Sequence, residues 1–172
     1  MNLLVKAFSF AADKHRNQRR KDAAASPYIN HPIALVNVLV NEAGIEDEKV
    51  LVAAVLHDTI EDTQTTAQEL TEHFGDEVTA IVLEVTDDMA LPKAERKRLQ
   101  VVHAPTISRR AKLVKLADKI CNVRDVAVAP PANWGLARRQ AYFDWAEAVV
   151  NGLRGTHPTL EHLFDEAFKQ RP

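Results

Sequence analysis

Residues 50–56, Val-Leu-Val-Ala-Ala-Val-Leu, are apolar without a break, and the run ends directly on His57-Asp58. A segment that is apolar on every side has no face to give to water, so it belongs at the centre of a core. At seven residues it is the longest such run in the chain, far short of the roughly 20 needed to cross a bilayer. The segments around it have helical period. Leu3, Leu4, Ala7, Phe8, Ala11 and Ala12 predict an amphipathic first helix. Ile33, Leu35, Val36, Leu39 and Val40 predict a second, ended by Gly44. Asp47 is placed to cap the apolar helix, and Thr66 with Glu69 fits a capping box for a helix ending at Phe74-Gly75. Further helices are expected over 78–85, 93–102, 109–128 and 136–153, with Pro105 and Pro130-Pro131 at the breaks. No run has alternating strand character. The expected fold class is all-α, one compact helical domain over 1–172.

Composition sets the outer limits. A chain of 172 residues buries a sizeable core without staples, and the single cysteine, Cys121, excludes a disulfide framework or a multi-cysteine zinc site. The opening Met1-Asn2-Leu3-Leu4-Val5-Lys6 reaches a charge too early for a signal peptide, and a reduced, cytoplasmic setting is expected. The net charge of −2 gives the whole chain no bias toward nucleic acid or membrane. Two local basic clusters stand out: Arg16, Arg19, Arg20 and Lys21, then Lys93, Arg96, Lys97 and Arg98. They read either as solvated helix faces or as a pocket for a small polyanion.

His31, His57, Asp58 and Asp118 have the chemistry of metal ligands. A divalent cation would satisfy His57 and Asp58 together. Two imidazoles and two carboxylates suit Mn²⁺, Fe²⁺ or Zn²⁺ better than Ca²⁺. The plainer reading is a satisfied core histidine at a helix end. Glu61 and Asp62 each fall four residues after a member of the His57-Asp58 pair. If the helix continues, these acids sit one turn further on and suit the handling of a water; the plainer reading is an acidic helix end. On the segment 111–125, Lys115, Asp118, Asn122 and Asp125 make one polar stripe, which spacing alone reads as solvated.

Taken together, Arg20-Lys21, Pro27-Tyr28-Ile29-Asn30-His31-Pro32, His57-Asp58-Thr59-Ile60-Glu61-Asp62 and Val114-Lys115-Leu116-Ala117-Asp118-Lys119 resemble the HD-domain hydrolases of the RelA/SpoT family. Val85 to Asp88, Arg96 to Gln100, Asn122 to Asp125, Trp134 and Gly152 to Gly155 extend the likeness to the small stand-alone alarmone hydrolases, from about Phe8 to Phe168. Within 172 residues there is no room for the synthetase, TGS or ACT domains of the long members. The resemblance therefore implies hydrolysis without synthesis. It implies an HD-domain fold and manganese-dependent removal of the 3′-pyrophosphate of guanosine tetra- or pentaphosphate, giving GDP or GTP. By matching motif it implies His31, His57, Asp58 and Asp118 as metal ligands, with Glu61 and Asp62 as the catalytic acids. It likewise implies Arg20, Lys21, Lys93, Asn122, Arg138 and Tyr142 as substrate contacts. Met89 and Cys121 depart from the pattern, at no ligand position. The alternative that keeps the metal site is a phosphatase on another nucleotide, such as removal of the 2′-phosphate of NADPH. His15 reads as structural, and His73, His103, His157 and His162 as surface residues.

Overall fold

The computed structural model describes residues 2–172; Met1 lies outside them. The described residues form ten α-helices: α1 Asn2–Lys14, α2 Asn30–Asn37, α3 Glu48–Leu56, α4 Thr59–Asp62, α5 Ala67–Phe74, α6 Asp76–Val85, α7 Lys93–His103, α8 Arg109–Val128, α9 Leu136–Asn151 and α10 Pro158–Phe168. Among the described residues there is no strand, only an isolated bridge between Arg19 and Pro27.

The apolar run becomes α3, and all seven of its apolar side chains are buried. Asp47 caps it by accepting from the Lys49 N–H at 3.0 Å, and α1, α2, α6 and α8 pack around it. Each fully buried Val or Leu there contributes about 1.5–3 kcal/mol. Thr66 caps α5 through the Glu69 N–H, and Gly75 ends that helix at φ +85°. A residue with a Cβ is strained in that region, which is why glycine stands there.

Three points follow from the structure. First, the apolar helix ends near His57, as expected, and the continuation to Asp62 that would put the acids one turn further on does not occur. The His57 imidazole Nδ1 donates to the Ala54 carbonyl at 2.8 Å, and the Thr59 hydroxyl donates to the Leu56 carbonyl at 2.7 Å. Side chains thereby take the acceptors that the next turn would have used, so Asp58 turns at φ −101°, ψ 0° and α4 starts afresh. Second, the polar stripe of α8 is not solvated. Lys115 is buried, Asp118 and Asn122 are half-buried, and only Asp125 is exposed, because α8 runs through the middle of the fold. Third, a helix follows Gly155 that spacing did not predict. His157 caps α10 by accepting from the Leu160 N–H, so it is not a free surface residue. Pro158 opens the helix where its missing N–H costs nothing. Leu160 and Phe164 are fully buried, and α10 packs on α8.

The second helix also ends differently in detail. Its last turn widens into a π turn, Val38–Glu42, before Gly44 at φ +68°. Glu42 there receives both terminal nitrogens of Arg124 at 2.9 Å, tying the turn to α8.

Candidate active site

Three segments meet at one point. The start of α2 brings His31, the break after α3 brings His57 and Asp58, and the middle of α8 brings Asp118. One ligand atom each from His31, His57 and Asp118 lies within 4.8 Å of the others. Ligands about 2.1 Å from a common metal stand about 3–4 Å apart, so the cluster fits one ion after small adjustments. His31 Nε2 is 3.2 Å from Asp118 Oδ1. His57 Nε2 is 3.0 Å from Asp58 Oδ2 and 3.8 Å from Asp118 Oδ1, yet makes no hydrogen bond. With Nδ1 donating to Ala54, the neutral His57 ring turns its Nε2 lone pair toward two carboxylates. A buried lone pair among negative oxygens is repulsive unless a cation sits between them, and that orphaned atom is the observation that fits a metal here. Asp58 stands beside the cluster with Oδ2 engaged by the Tyr28 hydroxyl.

Without a metal the same carboxylates draw a proton to His57 instead: burial pushes the imidazole down, but Asp58 and Asp118 outweigh it and raise it to about 9, so a cation of one kind or the other is favoured at this position. Burial likewise pushes Asp58 and Asp118 up, yet the histidines around them, and Lys119 for Asp118, hold both well below the usual carboxylate range. Lys119 is buried, 3.0 Å from Asp118 Oδ2, with its ammonium 4.3 Å from the Trp145 ring centre.

His31, Asp58 and Asp118 form one wall of a cavity of about 430 Å³, and His57 lies behind them at a smaller recess. Arg19, Arg20, Lys21 and Lys93 line it too, with Asn122, Asp125, Trp134 and Tyr142. Residues 18–28 fold back on themselves to hold the first basic cluster there: the Arg20 N–H bonds Ser26 O at 2.9 Å, the Tyr28 N–H bonds Gln18 O at 3.2 Å, and Asp22 accepts from Ser26. Asn122 donates to Asp118 Oδ1 at 2.6 Å, and Arg20 pairs with Asp125. Arg138 does not line this cavity. It lies in an adjoining one of about 260 Å³ with Arg96 and Lys97, which shares Lys93, Trp134 and Tyr142 with the first. The two basic clusters therefore converge. Burial and the neighbouring cations lower both Lys93 and Lys97. Arg16 and Arg98 stay out of both cavities, paired with Asp13 and Glu95.

The two acids part company. Asp62 lines the main cavity and accepts from Gln18 Nε2 at 2.8 Å. Glu61 instead faces a recess of about 40 Å³ behind the cluster, beside Gln100 and the buried Lys115, and accepts from the Asp87 N–H. Burial and the Asp58 charge raise both acids, Glu61 to about 7. Sequence reasoning missed Tyr28 and Gln18 as neighbours of the site. The adjacency of Tyr28 to the His31 motif was the available signal. His15 also proves to be a neighbour: its ring is buried, 4.7 Å from Tyr28, and its Nδ1 lies 2.6 Å from Gln18 Oε1.

The HD domain profile matches residues 7–142, a span that takes in all four metal-type residues and both acids. The chain belongs to the HD-domain family. It is 56% identical over 168 residues to the human guanosine-3′,5′-bis(diphosphate) 3′-pyrophosphohydrolase MESH1, covering 98% of this chain and 94% of that protein. The Xenopus tropicalis protein of the same name is 55% identical, covering 96% and 93%. A solved structure described as "A metazoan ortholog of SpoT hydrolyzes ppGpp and plays a role in starvation responses" superposes with a TM-score of 0.96. It is 49% identical and covers 99% of this chain and 96% of that one. The HD-domain fold expected from the sequence is the fold observed. Among the described residues no helix is long and apolar enough to cross a membrane.

Proposed function

We propose that this chain is a manganese-dependent hydrolase that removes the 3′-pyrophosphate of guanosine tetra- or pentaphosphate. The observation that carries the reading is a cavity in which His31, Asp58 and Asp118, with His57 directly behind them, share the walls with Arg19, Arg20, Lys21 and Lys93. A polyphosphate needs its charge neutralised and a water activated beside it. The activity for which the human and Xenopus relatives are named supports the substrate class.

In this reading His31, His57, Asp58 and Asp118 hold the ion. A divalent ion bound there lowers the pKa of a water and polarises a phosphoryl oxygen. The rest falls to the chain. Asp62, facing the cavity, orients the attacking water and takes its proton; Glu61, behind the cluster, fixes the backbone of the loop at Asp87. Arg20 and Lys21 meet phosphate oxygens, with Arg20 leaving Asp125 to do so. Asn122 keeps Asp118 oriented and offers its amide edge to the nucleotide. Lys93, Arg138 and Tyr142 hold the second phosphate group and the sugar across the junction of the two cavities. The chain acts as one domain, with α10 completing the packing of α8, and the buried single thiol of Cys121 suits the cytoplasm.

The test is product identification with purified protein and Mn²⁺, offering guanosine tetraphosphate and NADPH side by side. GDP with pyrophosphate from the first, and slower phosphate release from the second, is the expected result. Phosphate from NADPH without pyrophosphate from the tetraphosphate would move the assignment to the 2′-phosphatase reading.

A further inference from the structure

The last turn of α1 and the residues after it touch the site without being part of the metal cluster. His15 is buried at 3% exposure, although a buried imidazole needs a reason. Its Nδ1 lies 2.6 Å from Gln18 Oε1, and its Nε2 has no hydrogen-bond partner. A carbonyl oxygen accepts, so Nδ1 carries the proton. That fixes the amide: with Oε1 taken by His15, the NH₂ end of Gln18 points the other way. There it donates to Asp62 Oδ2 at 2.8 Å, across 44 residues of sequence. The chain of bonds runs imidazole, amide, carboxylate, with every donor matched to an acceptor.

We propose that His15 and Gln18 are positioning residues that lock the rotamer of Asp62, so that one carboxylate oxygen is tied back and the other faces the cavity. The proposal rests on the reading of Asp62 as the residue that orients the water. Asp58, His57, His15 and the Tyr28 phenol all bear on the Asp62 carboxylate. Without the amide donor, repulsion from Asp58 would swing it away. The ring of His15 is in turn held against Tyr28, whose hydroxyl engages Asp58. The same turn of chain thus sets the orientation of one acid and one cluster carboxylate by separate hydrogen bonds.

The experiment measures kcat and KM for pyrophosphate release from guanosine tetraphosphate with saturating Mn²⁺. The variants are Gln18→Leu, His15→Leu and His15→Asn, and the Asn amide sits near the position of Nδ1. Loss of one hydrogen bond to a charged group predicts that Gln18→Leu lowers kcat about 10- to 100-fold with KM within about threefold. His15→Leu should lower kcat less, and His15→Asn should restore it. Unchanged kcat in Gln18→Leu, or a His15→Asn as impaired as His15→Leu, would overturn the relay. A urea double-mutant cycle between Gln18→Leu and Asp62→Ala reads the same contact without any substrate. If the native chain releases no pyrophosphate, the substrate assignment fails, and the cycle alone then decides the relay: a coupling clearly above error supports it and additive effects overturn it.

Discussion

Glu61 shows how much one environment changes a side chain. Burial and the Asp58 charge raise its carboxyl from 4.5 to about 7, and the Asp87 N–H offsets only part of that. In the metal-free chain the folded state then binds more protons than the unfolded one between about pH 4.5 and 7. Stability linked to this group is therefore greatest below that window and is lost as pH rises through it. The full shift corresponds to about 3 kcal/mol as an upper bound, less for a group still partly reached by water. Glu61→Gln keeps the oxygen that accepts from Asp87 and should flatten this loss. Urea unfolding of the EDTA-treated protein at pH 5 and pH 8 checks it, with a smaller pH difference expected in the variant. Tyr28 offers a second test at this scale. Its hydroxyl is the hydrogen-bond donor that orients Asp58. Loss of such an outer partner costs about 10–100-fold in metal affinity, so Tyr28→Phe should weaken Mn²⁺ binding by that factor in a chelator competition titration.

Among the elements, α3 and α8 do most to place the site. The apolar run 50–56 announces its own burial, so the depth at which His57 and Asp58 emerge is legible from the residues alone. The four metal-type residues and the acid pair are singled out by the family resemblance; the residues alone leave plainer readings open, because a charged group is costly only where it is buried without a partner. What spacing cannot reveal is the break between α3 and α4, which depends on two side chains claiming carbonyls. The break is what aims Asp62 into the cavity and Glu61 behind it. The stripe on α8 misleads because periodicity reports that a face is polar, not whether water or a cavity meets it. The last helix escapes the periodicity reading although His157-Pro158 opens it and Leu160, Leu163, Phe164, Ala167 and Phe168 recur at helical spacing. That helix packs on α8, and none of its residues lines the main cavity. Phe164→Ala should therefore cost about 3–5 kcal/mol in urea unfolding while leaving Mn²⁺ affinity within about twofold.

Across the whole molecule, a net charge of −2 conceals a strong separation of sign. Acidic groups gather at the cluster and basic groups at the rim of the same cavity. Such an arrangement draws in a polyanion and a cation together and keeps each from being attracted alone. Under the proposed function, guanosine tetraphosphate would meet that demand through its two pyrophosphate groups. The central claim is that one metal held by this cluster is required for pyrophosphate release. The most direct measurement titrates Mn²⁺ into EDTA-stripped protein and follows bound metal and product release in the same samples, with Asp118→Ala beside the native chain. The account predicts that turnover rises with the first equivalent of bound metal and then levels, and that the variant neither binds nor turns over. Turnover by the stripped protein, or by a folded Asp118→Ala chain, would contradict it.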